Sequence, residues 1–369
     1  MFNFRKLRWQ LLVMFITVCV YTGLTVSVAT AKEPATPEMT LNQAISLALT
    51  NSNAVKKADN AIEITQASKD NATSNVTTIP TSSLGVGNIE VESAYTNLLN
   101  ADLNYQVSKK SLTTQQDAIF LSTCNKYWAI LINLEKVKSA ESGLENARLQ
   151  LQNARSGYQI GTISQVTLQA SETQYQTANV TLLGVQNSLV KAYTAFNQLV
   201  GLWPEDRPVL TDKVVYQPLE VASVDIEVNK ALDASPTVWQ AEENAKMQEY
   251  IATRTPGTGS SYTPYIARLA QADQARLDAD SAQKALDQST RTIYYNIIDL
   301  ENSIAQAQTG IKTAEDNLRV KKLMFDIGMA TTVEVKTCEK LLADAQSGLF
   351  ELVCNHAYME LTLQKPWAV

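Results

Sequence analysis

Apolar and small residues recur along two stretches of the chain in alternating steps of three and four. A seven-residue spacing of this kind keeps one stripe facing a partner when helices wind around each other with a left-handed twist. The helix before the earlier stretch follows the same spacing from Val137 to Tyr158. The pattern predicts an all-α fold of long antiparallel coiled-coil hairpins. The two stripes comprise residues 168, 171, 175, 178, 182, 185, 189, 192 and 196, and residues 335, 338, 342, 345, 349, 352, 356, 359 and 363.

The chain also contains an internal repeat. The segment ALTNSNAVKKA at 48–58 returns as ALDASPTVWQA at 231–241, and the turn Ile160-Gly161-Thr162 returns as Ile327-Gly328-Met329. Each copy is therefore predicted to run from a short first helix, through a long helix, to a glycine turn and a returning helix. A repeat of this length indicates an architecture rather than an active site.

The segment between the two copies is predicted to be a linker. It carries prolines at 204, 208 and 218, and each would interrupt a continuing helix. We therefore predict a first repeat over residues 39–201, an inter-repeat linker over 202–222 and a second repeat over 223–364.

The beginning of the chain has the features of an export signal. Three basic residues precede an apolar run from Leu11 to Tyr21, and Ala29-Thr30-Ala31 follows. This arrangement predicts a signal peptide over residues 1–31 that is cleaved after Ala31. An uncleaved anchor is the alternative, because the extended apolar run approaches the about 20 residues that a membrane-spanning helix needs. Both interpretations predict an exported protein of the cell envelope.

The net charge argues against two classes of partner. The formal charge is −6 at pH 7, and it becomes more negative once the three cations of the signal are removed. No basic cluster follows the signal. An acidic exported protein of this kind is not expected to bind nucleic acid or anionic lipid headgroups.

The sequence offers no combination of residues that would form a catalytic or metal site. His356 is the only histidine, and it occupies the stripe position that Leu189 holds in the first copy. Zinc would need more ligands than this, and nucleophilic catalysis would need a base with an orienting acid. Cys124, Cys338 and Cys354 are predicted to be packed thiols. We therefore expect no enzyme activity, no cofactor and no metal.

Several of these segments together resemble the TolC family of outer-membrane efflux and secretion channel proteins. Residues 39–45, MTLNQAI, are similar to the family's first helix. YQIG at 158–161 and FDIG at 325–328, with the Val-Thr-Leu and Val-Glu-Val triplets that follow at 166–168 and 333–335, are similar to the turns at the family's far helical tip. The resemblance covers nearly the whole chain after the signal, in the same order in both copies.

The resemblance implies a function that depends on assembly. The expected unit is a homotrimer whose subunits together form a hollow helical barrel. Small molecules or unfolded proteins would pass through it after a periplasmic-type adaptor and an inner-membrane pump dock. The candidate adaptor-docking turns are the two tip turns, Ile160, Gly161 and Thr162 in the first copy and Ile327, Gly328 and Met329 in the second.

The chain departs from the family in one respect. In the family, a strand hairpin interrupts the helices of each copy, and the matching intervals here are residues 73–88 and 253–264. A membrane-crossing strand takes about 9 to 11 residues. Neither interval shows sustained apolar alternation, and the second is too short. The sequence thus predicts vestigial or absent β-strands, and it leaves open an alternative function as an exported structural coiled-coil spacer without transport activity.

The resemblance also singles out Glu334 as a candidate pore-tip residue. The tip of the family's second copy places acidic side chains toward the axis, where three subunits form a ring of carboxylates, and Glu334 matches the first such position. Thr337 stands at the second position, and Ala330 stands where the family can hold a basic residue. The alternative interpretation is a solvated glutamate near a helix start, where the helix dipole favours an anion.

Overall fold

Helices form nearly all of the described structure. The computed structural model describes residues 35–77, 79, 89–221, 223–254 and 264–368. Within these residues the only strands are the two-residue β1 (Glu38–Met39) and β2 (Val209–Leu210), which pair in parallel, and a 3₁₀ turn at Pro366–Ala368 ends the fold. The prediction of an all-α fold is confirmed. The described ranges contain eight α-helices, which are α1 (Leu41–Asn51), α2 (Asn53–Ser74), α3 (Ile89–Gln159), α4 (Gln165–Val200), α5 (Val224–Ala234), α6 (Pro236–Arg254), α7 (Tyr265–Asp326) and α8 (Thr332–Gln364).

Three predictions concern segments that the structure describes only in part. The signal peptide at 1–31 lies outside the described residues, as does most of each interval in which strands are predicted to be reduced, 73–88 and 253–264.

The two longest helices are α3 and α7. Helix α3 is 71 residues long, which corresponds to roughly 105 Å at 1.5 Å per residue. Helix α7 has 62 residues. Neither helix contains a proline, so no backbone N–H is missing from its hydrogen-bond ladder.

Four of the helices lie side by side in the order α4, α3, α8, α7. The first hairpin joins α3 to α4, the second joins α7 to α8, and α8 also packs along α3. Helices α4 and α7 are thus the two edges of the layer. In the part of the chain that the structure describes, these two edge helices do not pack along each other.

The predicted stripe explains which side of α4 is covered. Between residues 173 and 191, the less exposed positions are 175, 178, 182, 185 and 189, and all of them belong to the predicted stripe. Among the described residues, helix α4 has a single long neighbour, α3, so one stripe is enough to cover its contact face. Helix α8 has long neighbours on two sides, and most of its residues are at least partly buried.

The repeated segments form the same bend twice. Ser52 ends α1 and begins α2, and Ser235 ends α5 and begins α6. The backbones of the two serines are nearly identical, with φ −64° and ψ 117° at Ser52 and φ −67° and ψ 119° at Ser235. Each side chain accepts a hydrogen bond from the backbone N–H three residues later, at 3.3 Å. A serine can cap the new helix in this way, because its hydroxyl satisfies an N–H that has no partner within the helix.

The main apolar core lies where the linker region meets α1, α3 and α4. Tyr127 and Phe196 are fully buried there and meet edge to face, with ring centroids 6.1 Å apart. The Tyr127 hydroxyl donates to the Met39 carbonyl at 3.2 Å and accepts from the Asp212 N–H at 3.1 Å. These bonds attach both strand segments to α3.

A buried carboxylate fixes the end of the chain to the first hairpin. Asp117 of α3 accepts hydrogen bonds from the Lys365 ammonium and from the Trp367 indole N–H, the latter at 3.1 Å. Asp117 is buried, so each of its bonds replaces lost hydration. The two hairpins are thereby joined near the end of α8 as well as along α3 and α8.

Candidate functional site

The two tip turns share one backbone geometry. Gly161 and Gly328 adopt positive φ angles of 78° and 76°, which glycine tolerates because it has no Cβ. The Thr162 N–H donates to the Gly157 carbonyl at 2.8 Å, and the Met329 N–H donates to the Met324 carbonyl at 2.7 Å. These bonds close the carboxyl ends of α3 and α7, so the repeated glycine has a local structural cause.

Both tips present apolar side chains to solvent. Ile160 is 76% exposed, Ile327 is 70% exposed and Met329 is 69% exposed. Val166, at the start of the returning helix, is also exposed. Thr162, in contrast, turns back and donates its hydroxyl hydrogen to the Gly157 carbonyl at 3.0 Å. Of the six predicted docking residues, Ile160, Ile327 and Met329 are therefore the ones that offer large apolar contact surfaces.

The returning helices begin differently in the two copies. Ser164 caps α4 and shares a 3.0 Å hydroxyl contact with Thr167. Thr331 caps α8, and Glu334 completes a capping box by accepting the Thr331 N–H at 2.8 Å. The position that holds a neutral threonine in the first copy therefore holds a carboxylate in the second.

Glu334 has a charged partner as well as the helix cap. Its Oε1 lies 2.9 Å from the Lys321 ammonium on α7. The hydrogen bond from Lys321 and the bonds from Thr331 lower the pKa of Glu334 to about 2. Within one chain, Glu334 thus ties the two helices of the second tip together and stays ionised at neutral pH.

The second family position faces the neighbouring hairpin. The Thr337 hydroxyl donates to the Val333 carbonyl at 2.9 Å and lies 3.3 Å from Oδ1 of Asn146 on α3. Asn146 is buried, and the sequence analysis did not identify it. The predicted residues are therefore not all in one place, because Thr337 belongs to the contact between hairpins and Glu334 belongs to the tip.

A groove of about 770 Å³ lies beside this contact, between α4 and α8 and above α3. Polar contacts between α3 and α8 form part of its lining: Lys136 pairs with Glu351 at 2.7 Å, and Ser139 donates to Asp344. The sequence pattern could not predict the groove, because its width depends on the separation of α4 and α8. Its small and apolar lining residues are Ala140, Gly143, Ala147, Ala170, Ala178, Val185 and Gly348.

The remaining candidates for chemistry are packed residues. Cys124 and Cys354 are buried free thiols, and burial raises the pKa of each to about 12. Cys338 is partly exposed. His356 is buried on the predicted stripe of α8. Across the described residues, no group of three or more His, Cys, Asp or Glu side chains is arranged to hold a metal ion.

None of the helices in the described ranges combines the length and the apolar character that crossing a membrane requires.

Comparison with known proteins supports the resemblance through structure rather than sequence. No family model matches the chain, and no curated protein matches it in sequence. Solved structures do match. CusC, described in a study of folding and transmembrane channel formation, shares 12% identity with a TM-score of 0.66, over 88% of this chain and 90% of CusC.

Two further matches are outer-membrane proteins of Vibrio cholerae and Campylobacter jejuni. VceC of Vibrio cholerae shares 16% identity with a TM-score of 0.63, over 89% of this chain and 95% of VceC. The CmeC outer membrane channel of Campylobacter jejuni shares 13% identity with a TM-score of 0.60, over 89% of this chain and 85% of CmeC. At such identities the likeness establishes the fold. The chain therefore has the fold of these outer-membrane channel proteins, as its resemblance to the TolC family predicts.

Proposed function

We propose that the chain is one subunit of a TolC-like efflux or secretion channel in the cell envelope. Three copies would form a helical conduit that passes small molecules or proteins. An adaptor and an inner-membrane pump would dock at the tip turns. Residues 39–201 and 223–364 would be the tandem repeats of each subunit, residues 202–222 the linker between them and residues 1–31 the export signal.

The observation that carries this proposal is the open layer of four helices. Its edges are two different helices, α4 and α7, and each has one long face without a neighbour among the described residues of the same chain. When the two edges of a subunit differ, one edge binds the other edge of the next subunit in a head-to-tail contact. Such contacts close into a ring when the rotation between subunits allows it. A ring that joins α4 of one copy to α7 of the next is therefore the assembly that this layer suits.

The composition of the free faces fits a water-filled interior. Between residues 173 and 191, the exposed positions of α4 are mainly Thr, Gln, Asn, Ser and Gly, with Val180, Leu183 and Val190 among them. A face of this kind can be covered partly by another subunit and partly by water. The exposed apolar residues at the tips, in contrast, suit contact with a protein partner.

A pair of cysteines can test the ring. Val180 on α4 and Thr309 on α7 are exposed, and each lies the same number of residues from its tip glycine. In a ring, Val180→Cys and Thr309→Cys in one chain should form disulfides between neighbouring subunits. Non-reducing electrophoresis should then show a series that ends at a covalent trimer. Each single variant is the matched control and should stay a monomer on the gel, because its cysteine would face Thr309 or Val180 of the neighbour instead of a second cysteine.

Conductance separates the proposed function from the structural spacer. A trimer that conducts ions after reconstitution into a bilayer supports the channel. A trimer without conductance, under conditions in which a known channel conducts, would favour the spacer. A chain that stays monomeric and fully helical at all concentrations would contradict the proposed assembly.

A further inference from the structure

One cluster around a buried histidine has no part in the assembly proposed above. His356 of α8 is 1% exposed, and each of its ring nitrogens faces a carboxylate. Nε2 lies 3.3 Å from Oε1 of Glu301 on α7, and Nδ1 lies 3.7 Å from Oε2 of Glu360, one turn further along α8. The single histidine of the chain thus lies between two acids.

The inter-repeat linker covers this cluster. The Tyr216 ring meets the His356 ring edge to face, with centroids 5.1 Å apart. The Leu219 N–H donates to the same Oε1 of Glu301 at 2.6 Å. The Leu219 side chain also packs on a small apolar cluster that includes Ile297. The linker is therefore held at one place by the acids and by the helices that carry them.

Two carboxylates and a neutral imidazole together carry one proton too few to make both contacts of the ring favourable. A neutral imidazole has one N–H, so it can donate to only one of the two acids. If it donates to Glu301, its other nitrogen presents a lone pair toward Glu360. That second contact is favourable only when the imidazole is protonated or when Glu360 carries a proton and donates it. With neither proton, the Glu360 carboxylate faces the lone pair of a buried ring nitrogen, which is unfavourable.

The surroundings supply no competing cation. The titratable groups that face the ring are Glu301 from α7, Glu360 from α8 and Tyr216 from the linker. Among the described residues, neither acid forms an ion pair with a lysine or an arginine. Burial raises the pKa of Glu360, proximity to His356 lowers it, and the charge of Glu301 raises it, with a net rise. The same burial and both acids raise the pKa of Tyr216.

We propose that His356, Glu301 and Glu360 form a proton-dependent latch that fastens the linker, at Tyr216 and Leu219, to the second hairpin. When the shared proton is present, the ring satisfies both acids and the linker closes over it. When the proton leaves, the acids repel each other and need water. Both acids are already partly exposed, and the linker is the element that can lift to let more water reach them and the buried ring, because the other sides of the cluster are helices.

The direction of the pH effect follows from the raised pKa of Glu360. The folded state holds this proton more tightly than the unfolded chain does, so the contribution of the latch is complete below the ordinary glutamate value of 4.5. It is lost as the pH rises through the higher folded-state value. The linker should therefore be held most firmly in acid.

Hydrogen exchange measured by mass spectrometry can test the latch on the full chain after its signal. The protection of linker peptides from residues 212–221, corrected for the intrinsic effect of pH, should fall several-fold between pH 5 and pH 8, because the stabilisation that depends on the bound proton is lost as the pH rises. Peptides from residues 178–191 of α4 are the internal control and should keep their protection. Equal linker protection at both pH values would overturn the proposal.

A matched pair of variants identifies the group responsible. Glu360→Gln keeps the shape of the side chain, and its amide can donate to Nδ1 at any pH. Its linker protection should therefore stay near the low-pH level across the range. Glu351→Gln alters a glutamate on the same helix that pairs with Lys136, and it should keep the parent's pH profile. A Glu360→Gln profile with the parent's pH dependence would also overturn the latch.

Discussion

The Glu334 carboxylate on α8 lies 2.9 Å from the Lys321 ammonium on α7, so the acid of the second tip carries its own counterion. Both side chains are partly exposed, and a pair of this kind adds little to stability. Its larger effect concerns charge. If three subunits bring Glu334 into a ring, as the family resemblance implies, the charge of each carboxylate is partly neutralised by its own Lys321. The field at the tip would then be weaker than that of three bare carboxylates.

The first prediction follows for ion selectivity in the reconstituted assembly. Glu334→Gln should lower the preference for cations over anions, and Lys321→Gln should raise it, each by roughly twofold at low salt because exposed charges act strongly only when salt does not screen them. Reversal potentials in a salt gradient measure both. Arg319→Gln is the control, because Arg319 pairs with Asp316 on the same helix. If neither variant changes selectivity in a conducting assembly, the hypothesis of a Glu334 carboxylate ring is contradicted.

The second prediction concerns how the stabilising effect of Glu334 depends on pH. The pKa of Glu334 is lowered to about 2, so its stabilising effect is present above the ordinary value of 4.5 and is lost as the pH falls toward about 2. The parent should therefore be more stable than Glu334→Ala at pH 7, and the difference should shrink between pH 4.5 and pH 2. Thermal unfolding at several pH values measures it. A constant difference would mean that the cap and the ion pair do not depend on the ionised form.

The third prediction concerns the buried clamp at the chain end. Asp117→Ala leaves the Lys365 ammonium and the Trp367 N–H without their acceptor, and it should reduce the free energy of unfolding by about 2–4 kcal/mol. Urea unfolding at one fixed protein concentration measures the loss. Asp316→Ala is the matched control, because its ion pair with Arg319 is exposed, and it should have little effect. Equal effects of the two changes would contradict the clamp.

The fourth prediction compares glycines. Gly161→Ala should cost about 1–2 kcal/mol, because an L-residue pays this amount in the left-handed region. Gly201→Ala should cost more, since the added Cβ would also clash with the side-chain amide of Asn51, which is held by its hydrogen bond to the Val200 carbonyl. Gly184→Ala, within α4 and with open space around it, should instead stabilise by up to about 1 kcal/mol. Urea unfolding at a fixed protein concentration should rank them in this order, and any other order would contradict the assigned backbone geometry.

The features that the sequence predicted correctly depend on short-range interactions. The stripe on α4 follows from heptad spacing, and each tip turn requires a glycine because the backbone there has positive φ. His356 is buried as well, in keeping with its place on the stripe. Interactions between residues three to five apart determine such features, and one sequence therefore suffices to recognise them.

The long-range partners of the buried charged residues could be found only in the tertiary structure. Asp117 and Lys365 lie 248 positions apart, and Glu301 and Leu219 lie 82 apart. Neither pair leaves a periodic mark in the sequence. The heptad stripe predicted how the two helices of each hairpin pair, but it did not predict the packing of α8 along α3. A second contact face on α8 depends on which other helix lies beside it. The sequence by itself therefore determined the helices, their turns and the faces that pair within a hairpin. Only the tertiary structure decided how the hairpins lie together and which buried charges meet, since long-range packing selects one arrangement among the many that helical faces allow.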